Sequence, residues 1–159
     1  KTAAVKEIMK EYKFDALIVS IRRDEHWIRA KERYFSPRDE NFRWNYKDQP
    51  AELWDDYTSK LDLKGHIRVH PLLDWNEVDI WAYIQKEHVP ILPAYYSRNG
   101  YRYRSVGCTN CTVPLKSNAK NISEIIKELE ATETDERTGR SQDKEKEYVM
   151  QKLRALGYM

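Results

Sequence analysis

Arg22 and Arg23 follow the apolar run Ala16-Leu17-Ile18-Val19 after Ser20 and Ile21 and stand directly ahead of Asp24 and Glu25. Guanidinium groups offer paired, rigidly spaced donors that suit phosphate and sulfate oxygens. A short apolar run ending abruptly in four charges reads as a buried parallel strand that delivers them to its carboxyl end. In open α/β sheets that edge is where ligands bind. The plain alternative is a surface network of Arg22–Asp24 and Glu25–Arg29 ion pairs, worth little energetically. Arg29 and Arg33 follow Glu25 at i+4 and i+8, so they either extend an anion site or pair with Glu25 and Glu32.

Three further stretches could carry chemistry. Tyr101-Arg102-Tyr103-Arg104 alternates aromatic and basic residues, which suits stacking on a base plus contact with a phosphate, and equally an edge strand with one solvated face. Arg137 and Arg140 flank Thr138-Gly139 in a polar segment, which reads as an exposed linker or as a basic loop that folds over an anion. Cys108 and Cys111 form a half-motif. A zinc or iron–sulfur site needs about four ligands, and the four histidines sit at no ligand-like spacing, so the pair reads as local thiols, as part of a metal site completed elsewhere, or as a redox pair.

Elements must hold these residues. The chain has 159 residues, 40% apolar and 34% charged, with a net charge of +2. That supports one globular domain with a real core and gives no signature of disorder or of a general nucleic-acid-binding coat. Six arginines fall between Arg22 and Arg43, which points to discrete anion sites. No apolar run approaches the roughly 20 residues of a membrane span, and two cysteines make a reducing cytoplasm the default compartment. Periodicity predicts a helix over 2–12, a strand over 15–21, a helix over 24–34, loop over 36–50, a short helix over 51–57, a strand over 66–73 and a helix over 77–87 capped by Asn76. Asn121 and Glu124 resemble a capping box for a helix through Leu129, and a last helix ends at Gly157. Trp54, Trp75, Trp81 and Tyr83 are expected in the core. The order is α/β with a parallel sheet. Two strands alone make a marginal sheet, and the chain opens on Lys1 within a helical pattern, so further strands upstream are expected. We read 1–159 as a single domain fragment with a helical tail from about 120 to 159.

Read together, Ser20-Ile21-Arg22-Arg23-Asp24-Glu25, Arg29-Ala30-Lys31-Glu32-Arg33, Ser36-Pro37-Arg38-Asp39 and Gln49-Pro50-Ala51-Glu52-Leu53-Trp54 resemble the small subunit of bacterial-type ATP sulfurylase. The likeness continues through Asp79-Ile80-Trp81, Gly107-Cys108, Ser117-Asn118-Ala119 and Glu136-Arg137-Thr138-Gly139-Arg140, covering nearly the whole chain. The wider group is the pyrophosphate-loop, adenine-nucleotide hydrolase-like superfamily, which includes the adenylyl-sulfate and phosphoadenylyl-sulfate reductases.

The resemblance implies adenylyl transfer from ATP to sulfate, with Mg²⁺ carried by the nucleotide, a GTPase large subunit as partner, and no membrane or nucleic-acid partner; self-association is compatible with it. It implies catalytic roles for Arg22, Arg23 and Arg29. It implies nucleotide or substrate contacts for Asp24, Glu25, Arg104, Arg137, Gly139 and Arg140. The family's Ser-Gly-Gly-Lys-Asp-Ser loop does not occur in this sequence, so these residues alone are expected to be inactive. Cys111 is a departure. With Cys108 it is similar to the cysteine pair of reductases that hold an iron–sulfur cluster, and zinc is the other metal such a pair suits. No cysteine follows Cys111, which weighs against reductase chemistry. A nucleotide-binding module without catalysis is the reading from another class.

Overall fold

The computed structural model describes residues 2–53, 57, 64–107, 112–134, 136, 152 and 155–157, with the side chains of Trp27 and Ile28 outside that description. Helix α1 (Thr2–Glu11) forms as its apolar spacing predicts and buries Met9. It leads into β1 (Ala16–Ile18), which pairs in parallel with β3 (His66–Val69), Ala16 opposite Ile67 and Ile18 opposite Val69. Strand β2 (Phe35–Arg38) lies antiparallel on the other side of β3, giving the order β1-β3-β2. Helix α2 (Glu77–Lys86) follows β3. A small antiparallel pair, β4 (Tyr101–Arg102) and β5 (Leu115–Lys116), precedes α3 (Ile122–Glu130). The α/β reading therefore holds, with a mixed rather than purely parallel sheet among the described residues. No described helix is long and apolar enough to cross a membrane.

Several predicted elements change. The helix over 24–34 is a five-residue 3-10 turn, Trp27–Lys31. Its start is pulled out of helical geometry because the Glu25 carboxylate accepts the Arg22 backbone N–H at 3.0 Å. The stretch over 36–50 was expected to be loop, yet it opens with the end of β2. Pro37 is tolerated there because β2 is an edge strand. The polar Ser36 and Arg38 are buried because Glu32 receives both. Ser36 Oγ donates to Glu32 Oε2 at 2.8 Å and Arg38 Nη2 donates to Oε1 at 3.1 Å, with Glu32 wholly buried. The strand over 15–21 shortens to three residues, and Tyr83 is 48% exposed rather than core, packing edge-on against Trp75. Most of the helix over 51–57 and of the last helix lies outside the described residues. Gly157 does adopt the left-handed φ of +88° expected of a C-cap.

The two caps hold. Asn76 and Asp79 form a reciprocal capping box on α2, and the Asn121 side chain accepts from Glu124 N at the start of α3. The two helices share a core of Trp81, Ala119, Ile125 and Leu129. Under the sheet the packing is polar. His66 and His70 are buried beside Arg38 and Arg68, and His70 Nδ1 donates to the Arg33 carbonyl at 2.7 Å. Burial first, and then the neighbouring cations, push both imidazoles down to about 4, the nearby Glu32 offsetting part of the effect at His70.

A titration follows from that burial. In the unfolded chain both histidines take up a proton near pH 6.5, whereas in the fold they stay neutral to about pH 4. Stability is therefore complete above pH 6.5 and falls between pH 6.5 and 4, by up to about 3 kcal/mol per histidine. Denaturant titrations at pH 7.5 and pH 4.5 should show the drop, and His70→Gln should reduce it. A flat profile would remove the histidines from the account.

Candidate functional site

β1 and β3 run in parallel, so both present their carboxyl ends at one edge. Their pairing continues past the regular strands: Val19 N–H donates to Val69 O and Arg23 N–H to Leu73 O, each at 2.9 Å. This lays the arginine segment alongside the turn that opens α2. Asp24 Oδ2 then accepts the Glu77 backbone N–H at 2.7 Å, so the first turn of α2 is held by a carboxylate from the neighbouring strand end.

The adjacent arginines diverge. Arg22 is buried; its Nε donates to Asp24 Oδ1 and its Nη2 to Glu136 Oε2, both at 2.8 Å. Burial opposes its charge, but the hydrogen bonds it donates to Asp24 and Glu136, with their negative charges, outweigh that, and its pKa lies above the ordinary value. Arg23 turns the other way. It pairs with Asp74 and lies 6.0 Å above the Tyr34 ring, and Tyr34 Oη donates to Asp74 Oδ2 at 2.8 Å. Arg29 pairs with Glu25, the i,i+4 contact that the spacing predicts.

Arg104 reaches the Arg22 side from the chain two residues past the end of β4. Its Nε and Nη2 donate to Glu77 Oε2 at 3.0 and 2.7 Å, and Nη1 donates to the Thr134 carbonyl at 2.8 Å. Burial is the main force raising the Glu77 carboxyl pKa; the Arg104 hydrogen bond opposes it, and the charge of Glu136 reinforces it. Arg22, Arg104, Glu77 and Glu136 line the mouth of a cleft of about 360 Å³ whose wall is apolar, with Ile84, Val89, Ile91 and Tyr95. Two cations face two carboxylates there. The arrangement can accept an anion if it displaces a carboxylate, and the apolar wall can take an uncharged portion of the same ligand.

The sequence thus points to Arg22, Asp24, Glu25, Arg29 and Arg104 as one neighbourhood; the fold brings Arg22 and Arg104 to one cleft, with Asp24 bonded to Arg22 and to the α2 amide, and Glu25 bonded to the Arg22 amide and paired with Arg29. Arg23 stands on the opposite side of the strand end. Arg137, Gly139, Arg140, Cys108 and Cys111 lie outside the described residues. Glu77 and Glu136 were not singled out as site residues. Glu77 carried a signal, a carboxylate at the first position of a helix entered from a strand, whereas the partner of Glu136 is 114 residues away. Among the described residues no three histidine, cysteine or acidic side chains converge as a metal cage.

Residues 1–114 match the family described as the phosphoadenosine phosphosulfate reductase domain. The chain is 37% identical, over 99% of its length, to sulfate adenylyltransferase subunit 2 of Sulfurimonas denitrificans, and 38% identical over 99% to the proteins of that name from Colwellia psychrerythraea and Citrifermentans bemidjiense. In each case it spans 62% of the relative's length.

The Arg104–Glu77 pair generates its own test. Arg104→Ala leaves a buried carboxylate without its cation and should lower stability at pH 7 by about 3 kcal/mol. Protonating Glu77 relieves the defect, so the gap from wild type should narrow as pH falls to 5, and adding Glu77→Gln should recover most of it. Denaturant titration of the three proteins at both pH values reads this out. A gap independent of pH would show that Glu77 is not its source.

Proposed function

The chain belongs to the phosphoadenosine phosphosulfate reductase domain family, and within that family we propose that it serves as the sulfate-side portion of an ATP:sulfate adenylyltransferase. The observation that supports this most directly is the convergence of Arg22 and Arg104 on one cleft at the carboxyl ends of β1 and β3. The similarity to proteins named sulfate adenylyltransferase subunit 2 supports the same reading.

In the proposed reaction a sulfate oxygen attacks the α-phosphorus of ATP, the bond from that phosphorus to the α,β-bridging oxygen breaks, and pyrophosphate leaves with that oxygen. Both reactants are anions, so the first requirement is cationic positioning that brings them to attack distance. Arg22 is the leading ligand because its guanidinium is fixed by Asp24, through Nε at 2.8 Å and a longer Nη2 contact at 3.4 Å, while the shorter Nη2 bond goes to the displaceable Glu136. Arg104 closes the cleft from the α2 side. Arg23 and Arg29 brace the strand end, with Arg23 available to a phosphate lying across it. Arg137, Gly139 and Arg140, which follow Glu136 in sequence, are proposed to contact the nucleotide. Mg²⁺ is proposed to enter bound to the nucleotide's phosphates, where it shields the leaving pyrophosphate. A larger GTPase subunit is the proposed partner, in keeping with the designation of the relatives as subunit 2.

Sulfate-dependent exchange of pyrophosphate into ATP, measured on the full-length protein, tests this reading. Arg22→Ala should lower the exchange rate by roughly a hundredfold or more, and Glu136→Gln should tighten sulfate binding. An unchanged rate in Arg22→Ala ends its assigned role. A wild-type protein that reduces a sulfonucleotide and shows no exchange would favour the reductase reading, in which Cys108 and Cys111 hold a cluster.

A further inference from the structure

The segment that supplies Arg104 has a second face. Tyr101 and Tyr103 alternate with Arg102 and Arg104 through the two-residue β4 and the two residues after it; Arg104 lines the cleft, whereas Tyr101 and Tyr103 line a different cavity. Arg102 is 1% exposed, and its Nε and Nη2 donate to Glu128 Oε1 at 3.0 and 2.7 Å, which fixes the strand to α3. The hairpin tip is a two-residue Asn99-Gly100 turn with both φ values positive, +54° and +80°. It is closed by Arg98 N–H to Tyr101 O at 2.8 Å and by Tyr101 N–H to Arg98 O at 3.1 Å. Tyr103 N–H donates to Ala94 O at 3.1 Å, tying the strand to the segment after α2.

The other set lines a cavity of about 470 Å³ bounded by Ala94, Tyr96, Arg98, Tyr101, Tyr103 and Pro114. None of the cleft residues lines it. Tyr96 has one side against the α2–α3 core and lines the cavity with the other. Among the described residues the hydroxyls of Tyr96, Tyr101 and Tyr103 and the guanidinium of Arg98 have no hydrogen bond or ion pair. Three tyrosine side chains and one unpaired guanidinium therefore share one recess on a hairpin tied from behind to α3.

The chemistry narrows the ligand. Rings without a neighbouring cation suit a quaternary ammonium group, but Arg98 repels one. A purely apolar ligand leaves three hydroxyls and a guanidinium unsatisfied. A planar heterocycle carrying one anionic group uses both features: the ring stacks on tyrosine and the anion pairs with Arg98. A volume of about 470 Å³ lies within the range of small-molecule sites, about 300–1,000 Å³. A single arginine and a net charge of +2 do not provide the tracking groove of a polynucleotide. We propose that this cavity is a second ligand site, separate from the Arg22–Arg104 cleft, that binds a mononucleotide with its base on Tyr101 and Tyr103 and its phosphate on Arg98.

Fluorine NMR of the protein labelled with 3-fluorotyrosine tests the proposal at the cavity itself. Resonances are assigned with Tyr96→Phe, Tyr101→Phe and Tyr103→Phe. Adenosine 5′-monophosphate should shift these three resonances saturably, and the shift should persist in Arg22→Ala. Ribose 5-phosphate should bind at least about tenfold more weakly, since it lacks the stacking ring, and Arg98→Ala should weaken the nucleotide about tenfold. Arg98 is exposed, so that variant keeps the fold. The proposal is overturned if the three resonances stay still at 10 mM nucleotide, if ribose 5-phosphate binds as well as the nucleotide, or if the response vanishes in Arg22→Ala. A proline-rich peptide that shifts the resonances when the nucleotide does not would overturn it too.

Discussion

The backbone pairing between β1 and β3 is the constraint on which the site depends. Parallel strands place their carboxyl ends together, and here the pairing runs on through Val19–Val69 and Arg23–Leu73 after the regular ladder has ended. That extension carries Arg22 to the first turn of α2 and lets Asp24 reach the Glu77 amide. Shifting the register by one residue would exchange Arg22 and Arg23 between the two sides of the strand end. The cleft would then face the arginine that now pairs with Asp74.

The charges at that edge are nearly balanced from within. Arg22 has Asp24 and Glu136, Arg104 has Glu77, Arg23 has Asp74, and Arg29 has Glu25. Partly buried guanidinium groups need such partners to remain charged without a large desolvation penalty. The partners are not equivalent. Asp24 is held at both oxygens, by Arg22 and by the α2 amide, whereas Glu136 belongs to the chain beyond α3 and meets Arg22 through one oxygen. A multiply charged anion has more to offer Arg22 than Glu136 does and far less chance of dislodging Asp24. The cleft is thus organised in advance on one side and exchangeable on the other.

Local signals were legible where one periodicity or one cap decided the outcome. The Asn76 and Asn121 caps and the Ile125/Leu129 stripe read correctly because their partners lie within a few residues; the apolar run at Ala16–Val19 gives a parallel strand but not the buried one expected, since Ala16 and Ile18 are exposed. β2 was hidden because its buried face is polar. Ser36 and Arg38 look like surface residues until Glu32 is seen to satisfy them, and Pro37 looks like a loop until its strand is known to be an edge. Asn99-Gly100 carried a hairpin signal, but the strand that follows is only two residues long. Glu136 was out of reach for a different reason: its meeting with Arg22 is set by the whole path between them, which no window of sequence contains.

The outer edge of β1 has a consequence for the chain in solution. No described strand pairs with that side, and Ile18 is 73% exposed with Phe14 and Tyr12 also open to solvent. Unpaired amides and carbonyls beside apolar side chains form a template on which another extended segment can align. Exposed Lys13, three residues ahead of Ala16, puts a charge beside the start of that strand, and the repulsion between the lysines of two copies is strongest at low ionic strength. Solubility of these residues in isolation is therefore governed by salt in the direction opposite to an ion-paired interface, decreasing as the lysines are screened.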